Sequence, residues 1–391
     1  MKHAISFVGT GNYQEATYFF KGMECRTSMF PEAVWKIFQP DKMTVFMTQA
    51  AEERYLSELK RRLDDLADSK WRPVRIPDGK NESEIWEIFE TITQHVDEGE
   101  SVIFDITHAF RSIPILAMIS IVYLRSARGV ALEHVVYGAW EATENNRTPV
   151  FDLTPFMKLL DWTNATEMFI RTGHGRDIAN LLKSAHQVAY GTRSSDGLTP
   201  PRELKNVASD IEKISDALAL VRSDEVMEYA LRLKNRPERY RDEARAWAKP
   251  FSLLVDRIAE NFVPFAGDDK DISRRLKTEC SIIGWLIDKN QIVQAILLAR
   301  EWIITYVISK LGEGDTHDSE YRECIKKKIY DAITGEDKLP VDGKLLEIWS
   351  RLGDLRNDVA HCGMRRSPKP SDTLIKGARQ VYEDLRRFAE L

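Results

Sequence analysis

The sequence predicts an α/β Rossmann-like domain at the N-terminal end, followed by an all-α connector and an all-α bundle. Three observations carry that reading. Over residues 1–155, short apolar strand patterns alternate with amphipathic helical patterns, as in a parallel sheet covered by helices. Beyond Thr154 the strand patterns all but vanish, and helical periodicity runs to the end of the chain. A chain of 391 residues also exceeds one ordinary core, which places domains at 1–155, 156–249 and 250–391.

In chain order, strands are expected at 4–8, 44–48, 73–76, 102–106 and 134–139, with an edge strand near 149–153. These are short runs rich in Val, Ile, Phe and Thr. Helices are expected between them at 52–67, 83–97 and 112–127. The first crossover, 13–39, is less regular and holds a hairpin or a short helix around 31–38. A run of Gly, Ser, Thr and Pro at 191–201 reads as a loop. Helices from 162 to 249 form the connector, and the bundle contains helices at 271–290, 291–311 and 318–333. In the next helix, apolar residues recur at Leu345, Trp349, Leu352, Leu355 and Val359. Asp342 caps its start, and Gly363 followed by Pro368 ends it. A basic helix beginning near Ser371 closes the chain.

Composition sets the class. Hydrophobic residues make up 43% and charged residues 30%, the balance of a soluble globular protein. The net charge is −5, so the chain as a whole is no generic nucleic-acid binder, and any RNA site has to be a local patch. Basic-rich stretches stand at 231–250 and 364–391, although solvated helix faces account for such runs more often than nucleic acid does. Cys25, Cys280, Cys324 and Cys362 form no CxxC pair, which argues against a zinc site or a disulfide framework and fits a reducing cytoplasm. Cys362 reads as a packing residue. No secretory leader is read at the N-terminus, so a cytoplasmic location is expected. The apolar run 113–124 is too short to span a bilayer and contains Pro114, so no membrane partner is expected.

Two loops at strand ends carry chemistry. Ligands of open parallel sheets bind beyond the carboxyl ends of the strands. After the first strand comes Gly9-Thr10-Gly11-Asn12-Tyr13: glycines that let backbone amides approach a ligand, side chains that donate hydrogen bonds, and a ring that can stack on a base. The dinucleotide fingerprint G-x-G-x-x-G is incomplete, because Gln14 stands at the third glycine. Thr48 and Gln49, not an acid, follow the second strand, so nicotinamide binding is disfavoured. After the strand at 102–106, Asp105, Thr107, His108, Ala109 and Arg111 cluster where a helix begins, which suits an anion. A simple helix cap would explain Asp105 and Thr107, but not Thr, His and Arg together.

A second constellation lies near the end of the chain. Arg356, Asn357 and His361 occupy one amphipathic helix, with Asn357 and His361 four residues apart on one face. A permanent cation, an amide and an imidazole can together hold a phosphate and move a proton. Arg365 and Arg366 follow and can grip an RNA backbone, although a solvated charge run is the simpler reading.

Gly-Thr-Gly-Asn-Tyr after strand one, with Asp-Ile-Thr-His-Ala-Phe-Arg after the fourth strand, resembles the CARF domain of CRISPR-associated accessory proteins. Arg-Asn-x-x-Ala-His-x-Gly on a late helix resembles the active-site motif of HEPN ribonucleases. Together they make the chain similar to the type III CRISPR CARF–HEPN ribonucleases of the Csx/Csm group, in particular the subfamily whose loop reads Asp-x-Thr-His-Gly-x-Arg. Ala109 departs from that pattern, and its methyl narrows the approach of a ligand to the backbone. The resemblance covers the two ends of the chain and places the middle helices by position only.

The resemblance implies a homodimer whose CARF domains bind a cyclic oligoadenylate, cyclic tetra-adenylate first, as allosteric activator, with no other cofactor and no metal. It implies that paired HEPN domains cleave single-stranded RNA, leaving 2′,3′-cyclic phosphate and 5′-hydroxyl ends. In that scheme His361 moves the proton or positions the 2′-hydroxyl, Arg356 stabilises the phosphorane-like charge, and Asn357 orients His361 or a phosphate oxygen. Two alternatives stay open: a nucleotide-sensing regulator without nuclease activity, and a CARF domain that also degrades its own ligand.

Overall fold

A computed structural model describes residues 1–68, 70–108, 113–191, 200–236, 239–267, 271–364 and 366–389. The chain divides into two compact units, Met1–Leu159 and Leu160–Leu391. The first opens with β1 (Lys2–Val8), β2 (Ala16–Phe20), β3 (Met23–Thr27), α1 (Phe30–Phe38), β4 (Lys42–Met47) and α2 (Gln49–Ala67). It continues with β5 (Trp71–Arg75), α3 (Glu82–Gln94), β6 (Ser101–Asp105), α4 (Ile113–Arg128), β7 (Ala131–Gly138) and β8 (Arg147–Asp152).

Five strands form the parallel sheet that the sequence predicts, in the order β5-β4-β1-β6-β7. Their side chains alternate between two cores. Ala4, Val8, Val45 and Ile103 face α1 and α2, where they meet Phe30, Leu59 and Leu63. Ile5, Phe7, Phe46 and Phe104 face α3 and α4, where they meet Ile88, Ile92, Ala117 and Ile121. Because both faces are covered, β1 and β4 are buried at every position after the first, including polar Ser6 and Thr44.

The whole sheet is mixed, not parallel throughout. β8 runs antiparallel to β7, β2 pairs parallel with β8, and β3 pairs antiparallel with β2. A two-residue turn joins β2 to β3, and the longer connection 139–146, which ends in a tight turn, joins β7 to β8. Lys21 and Gly22 have φ of 46° and 88°, and Asn145 and Asn146 have 50° and 61°. Two successive left-handed residues reverse the chain with the twist that antiparallel strands need. The crossover 13–39 therefore contains both the hairpin and the helix that the sequence offered as alternatives.

The second unit is helical among the described residues. It takes up α5 (Thr154–Thr172), which begins before the unit boundary. α6 (Arg176–Gly191), α7 (Glu203–Ala219), α8 (Ser223–Lys234), α9 (Arg239–Trp247), α10 (Lys249–Ser252) and α11 (Val255–Phe262) follow. Then come α12 (Ile272–Asp288), α13 (Ile292–Leu311), α14 (Ser319–Thr334), α15 (Gly343–Ala360) and α16 (Ser371–Ala389). Residues 192–199 of the expected loop lie outside the described residues. Helices of both the connector and the bundle contribute to one cluster of buried residues running from Trp162 to Leu385. α13 is long and apolar enough to cross a bilayer, and 67% of its apolar window is buried in the unit. Its Trp302 is fully buried and donates from Nε1 to the Leu276 carbonyl at 2.8 Å.

Candidate functional site

The first candidate site lies at the carboxyl edge of the parallel sheet. β1 sits between β4 and β6, so the crossovers leave it in opposite directions there, and a crevice opens between the loops after β1 and β6. A cavity of about 490 Å³ occupies that position. Gly9, Thr10, Gly11 and Tyr13 line it from the β1 loop, Thr48 from the β4 end, and Thr107 and His108 from the β6 loop. A second cavity of about 230 Å³ is lined by Gly11, Asn12, Tyr13, Thr107 and His108 and also by Tyr137 and Trp140. The sheet thus brings together the two loops that the sequence singled out. Ala109 and Arg111 lie outside the described residues.

Local bonds fix the β1 loop. Arg54 donates to the Thr10 carbonyl at 2.8 Å, and the Tyr55 hydroxyl donates to the Gly11 carbonyl. The Gly9 amide donates to the Tyr13 hydroxyl at 2.9 Å. The Tyr13 ring stacks on His108, with centroids 3.8 Å apart. A Cβ at Gly11 would stand 3.0 Å from the Tyr13 ring, so glycine lets that ring fold back. Tyr13, expected to stack on a base, here stacks on His108 and forms the wall between the two cavities. Burial raises its hydroxyl pKa to about 12, so it stays protonated.

The β6 loop is held from beneath. Asp105 is fully buried, and its Oδ1 accepts from the Thr107 amide at 2.8 Å. Burial pushes its carboxyl up to about 6, against an ordinary value of 3.8. Asp105 therefore supports the site and lines neither cavity. Thr107 Oγ1 accepts from the Gly138 amide at 2.8 Å, tying the loop to the end of β7. Glycine is needed at 138, since a methyl would stand 2.8 Å from both the Phe30 and Tyr18 rings. His108 Nε2 accepts from the Phe30 amide at 3.4 Å, and burial lowers its pKa to about 3. The imidazole is neutral at physiological pH. Thr48 is buried and its hydroxyl accepts from the Ala51 amide, so it caps α2 while lining the cavity.

Sequence reading missed several lining residues. Asp78 and Lys80, paired at 2.6 Å, lie beyond the end of β5, and Tyr137 and Trp140 flank the end of β7. Their signal was position: each stands at or beyond the carboxyl end of a parallel strand and so reaches the same edge.

The second candidate site is at the end of α15. Asp342 accepts from the Lys344 amide at 2.9 Å, as the predicted cap. Leu345, Trp349, Leu352 and Leu355 are buried on the predicted apolar stripe. Arg356 and Asn357 are exposed on the last turn, where Arg356 Nη1 donates to Asn357 Oδ1 at 3.3 Å. His361 is exposed at the helix C-cap, one residue beyond the helix in which the sequence placed it. Its amide donates to the Asn357 carbonyl at 3.2 Å.

Cys362 and Gly363 are left-handed, with φ of 52° and 70°, and the Gly363 amide returns to the Asp358 carbonyl at 2.9 Å. Cys362 is exposed, which corrects its reading as a packing residue. Buried Asp358, which sequence reading passed over, accepts from the Lys369 amide at 3.0 Å and pins the segment after the turn. Arg365 lies outside the described residues, and Arg366 is exposed.

Comparison with known proteins adds the following. Residues 3–139 match the family described as CRISPR system endoribonuclease Csx1, CARF domain. Residues 158–264 match CRISPR-associated protein MJ1674, second domain. The CRISPR-associated protein MJ1674 of Methanocaldococcus jannaschii is 24% identical over 295 residues, which are 74% of this chain and 42% of that protein. Among solved structures, Enterococcus italicus Csm6 bound to cyclic hexa-2′-fluoro-hexa-dAMP has 9% identity and a TM-score of 0.45, covering 100% of this chain and 93% of the other. The two family matches make residues 3–139 similar to a CARF domain and residues 158–264 similar to the second domain of a CRISPR-associated protein.

Proposed function

We propose that this chain is a cyclic oligoadenylate-activated endoribonuclease of type III CRISPR defence that works as a homodimer and needs no metal for cleavage. The observation that carries the sensing half is the convergence of the β1 and β6 loops on one cavity at the switch point of a sheet matching a CARF domain. Its lining offers backbone amides, hydroxyls and a neutral imidazole, which suit the phosphates and sugars of a nucleotide ring. Tyr137 and Trp140 supply aromatic surface beside it. The ligand of first choice is cyclic tetra-adenylate.

The nuclease half rests on the exposed Arg356, Asn357 and His361. Arg356 donates to no carboxylate among the described residues, so its charge is available to a phosphate. In the proposed reaction the RNA's own 2′-hydroxyl attacks the adjacent phosphorus. The new 2′-O–P bond forms as the P–O5′ bond breaks, and the proton leaves the 2′-oxygen and ends on the 5′-oxygen. His361 serves that transfer, and Arg356 stabilises charge on the pentavalent phosphorus. Asn357, bonded to Arg356, holds the guanidinium in place.

Dimerisation is supported by α4. Ile115, Ile119 and Val122 repeat at helical spacing on an exposed face, with Tyr123 beside them. A symmetric ring of nucleotides suits two copies related by a twofold axis.

His361→Ala tests the nuclease half. It should reduce cleavage of single-stranded RNA by ~10²-fold or more while ligand binding persists, since a group that transfers the proton contributes on that scale. A loss of only about twofold would remove His361 from the reaction.

A further inference from the structure

We propose that Arg300 of α13 is a second phosphate-binding arginine of the nuclease site, holding the RNA backbone one helical turn before Arg356. The inference rests on the nuclease reading above and extends it to a residue outside the recognised motif. Arg300 reaches across to α15: its guanidinium lies 4.1 Å from the centroid of the Trp349 ring. Its Nη1 is 4.0 Å from the place a Cβ on Gly353 would take. Trp349, Gly353 and Arg356 follow one another at four and three residues, so they form a single stripe along the helix. Arg300 thus lies on the stripe that ends at Arg356.

The charge around it is unbalanced. Among the described residues neither Arg300 nor Arg356 hydrogen-bonds a carboxylate. The acids nearest Arg300 are committed elsewhere: Glu301 to Arg322 at 2.6 Å and Glu323 to Lys326 at 2.6 Å. Burial, and then the charge of Arg356, lower the pKa of Arg300, so the two cations act on one another unfavourably. An anion lying along both would relieve that repulsion. Arg300 is half-buried and stacked on an aromatic face, so its fork is ordered before a ligand arrives. An ordered Arg300 one turn from the exposed Arg356 suits successive phosphates of a single strand.

The test measures binding of a 2′-O-methyl single-stranded RNA, which offers no attacking hydroxyl, to the full chain across a range of KCl concentrations. Cleavage of unmodified RNA in the presence of cyclic tetra-adenylate is measured in parallel. Arg300→Met keeps an unbranched chain against Trp349 and removes the charge, and Arg300→Lys keeps the charge without the fork. Arg300→Met should weaken binding about tenfold or more, as loss of a charge-assisted hydrogen bond does. It should lower the slope of log K against log salt by about 0.7, the share of one single-strand phosphate contact. The cleavage defect should fall mainly in KM, and Arg300→Lys should keep the slope while losing part of the affinity.

An Arg300→Met protein with wild-type slope and affinity would overturn the assignment while leaving the nuclease intact. A variant changed in thermal stability alone would show that Arg300 only packs. A wild type that neither binds nor cleaves RNA would remove the nuclease reading and this one with it.

Discussion

Asp105 shows how a single residue can be informative without touching a ligand. Its carboxyl is fully buried, supports the β6 loop through the Thr107 amide, and has a folded pKa of about 6. The folded value lies above the ordinary one of 3.8, so the folded state holds the proton more tightly. The stabilising contribution is fully present below about pH 4 and is lost as pH rises through 6, at a cost on the order of 2–3 kcal/mol. Asp105→Asn keeps the oxygen that accepts from Thr107 and never ionises. Urea unfolding should therefore find the variant more stable than wild type at pH 8 and close to it near pH 4. An equal difference at both pH values would contradict this account of the loop.

The residues around Asp105 were partly legible from the sequence. Gly9 to Tyr13 and Thr107-His108 stood out because each directly follows a strand. Lys80, Tyr137 and Trp140 did not, because only the pairing order of β5 and β7 puts them beside the same crevice. Arg300 could not be read at all. It sits more than fifty residues before Arg356 in the chain, and only the packing of α13 on α15 makes them neighbours.

Among elements, the motif helix α15 was the most readable. Its cap at Asp342, its apolar stripe and its left-handed end all follow local rules that act within a few residues. Asp342→Ala should cost about 1 kcal/mol, measured by urea unfolding, because the Lys344 amide loses its acceptor. The sheet was less readable at its mixed edge, and one reason is the two-residue turn between β2 and β3. Lys21-Gly22 is a weaker signal than Asn-Gly, so β2 and β3 did not stand out as separate strands. Gly22 has φ of 88°, and a side chain there would meet nothing within 4 Å. Gly22→Ala should therefore destabilise the hairpin through backbone strain alone, by roughly 1–2 kcal/mol. A variant as stable as wild type would contradict the turn geometry.

At the scale of the molecule, the candidate ligand pocket belongs to the first unit and the Arg356–His361 group to the second. The proposed function therefore requires coupling: the ligand must bind one arrangement of the protein more tightly than another, and RNA must share that preference. In the proposed dimer, the exposed apolar face of α4 is the place for the second copy. Ile119→Asp puts a charge at its middle. Light scattering should find that variant monomeric at concentrations where wild type is a dimer, and ligand should no longer stimulate it. A dimeric, fully stimulated variant would move the interface elsewhere.

The most direct test of the central claim is one cleavage assay in EDTA, with single-stranded RNA and with or without cyclic tetra-adenylate and the other ring sizes. Cleavage should be weak without ligand, should rise strongly with one ring size, and should leave 2′,3′-cyclic phosphate ends. His361→Ala should cleave ~10²-fold or more slowly under every condition. Cleavage that ignores every cyclic oligoadenylate, or that disappears when EDTA is added, would contradict the account.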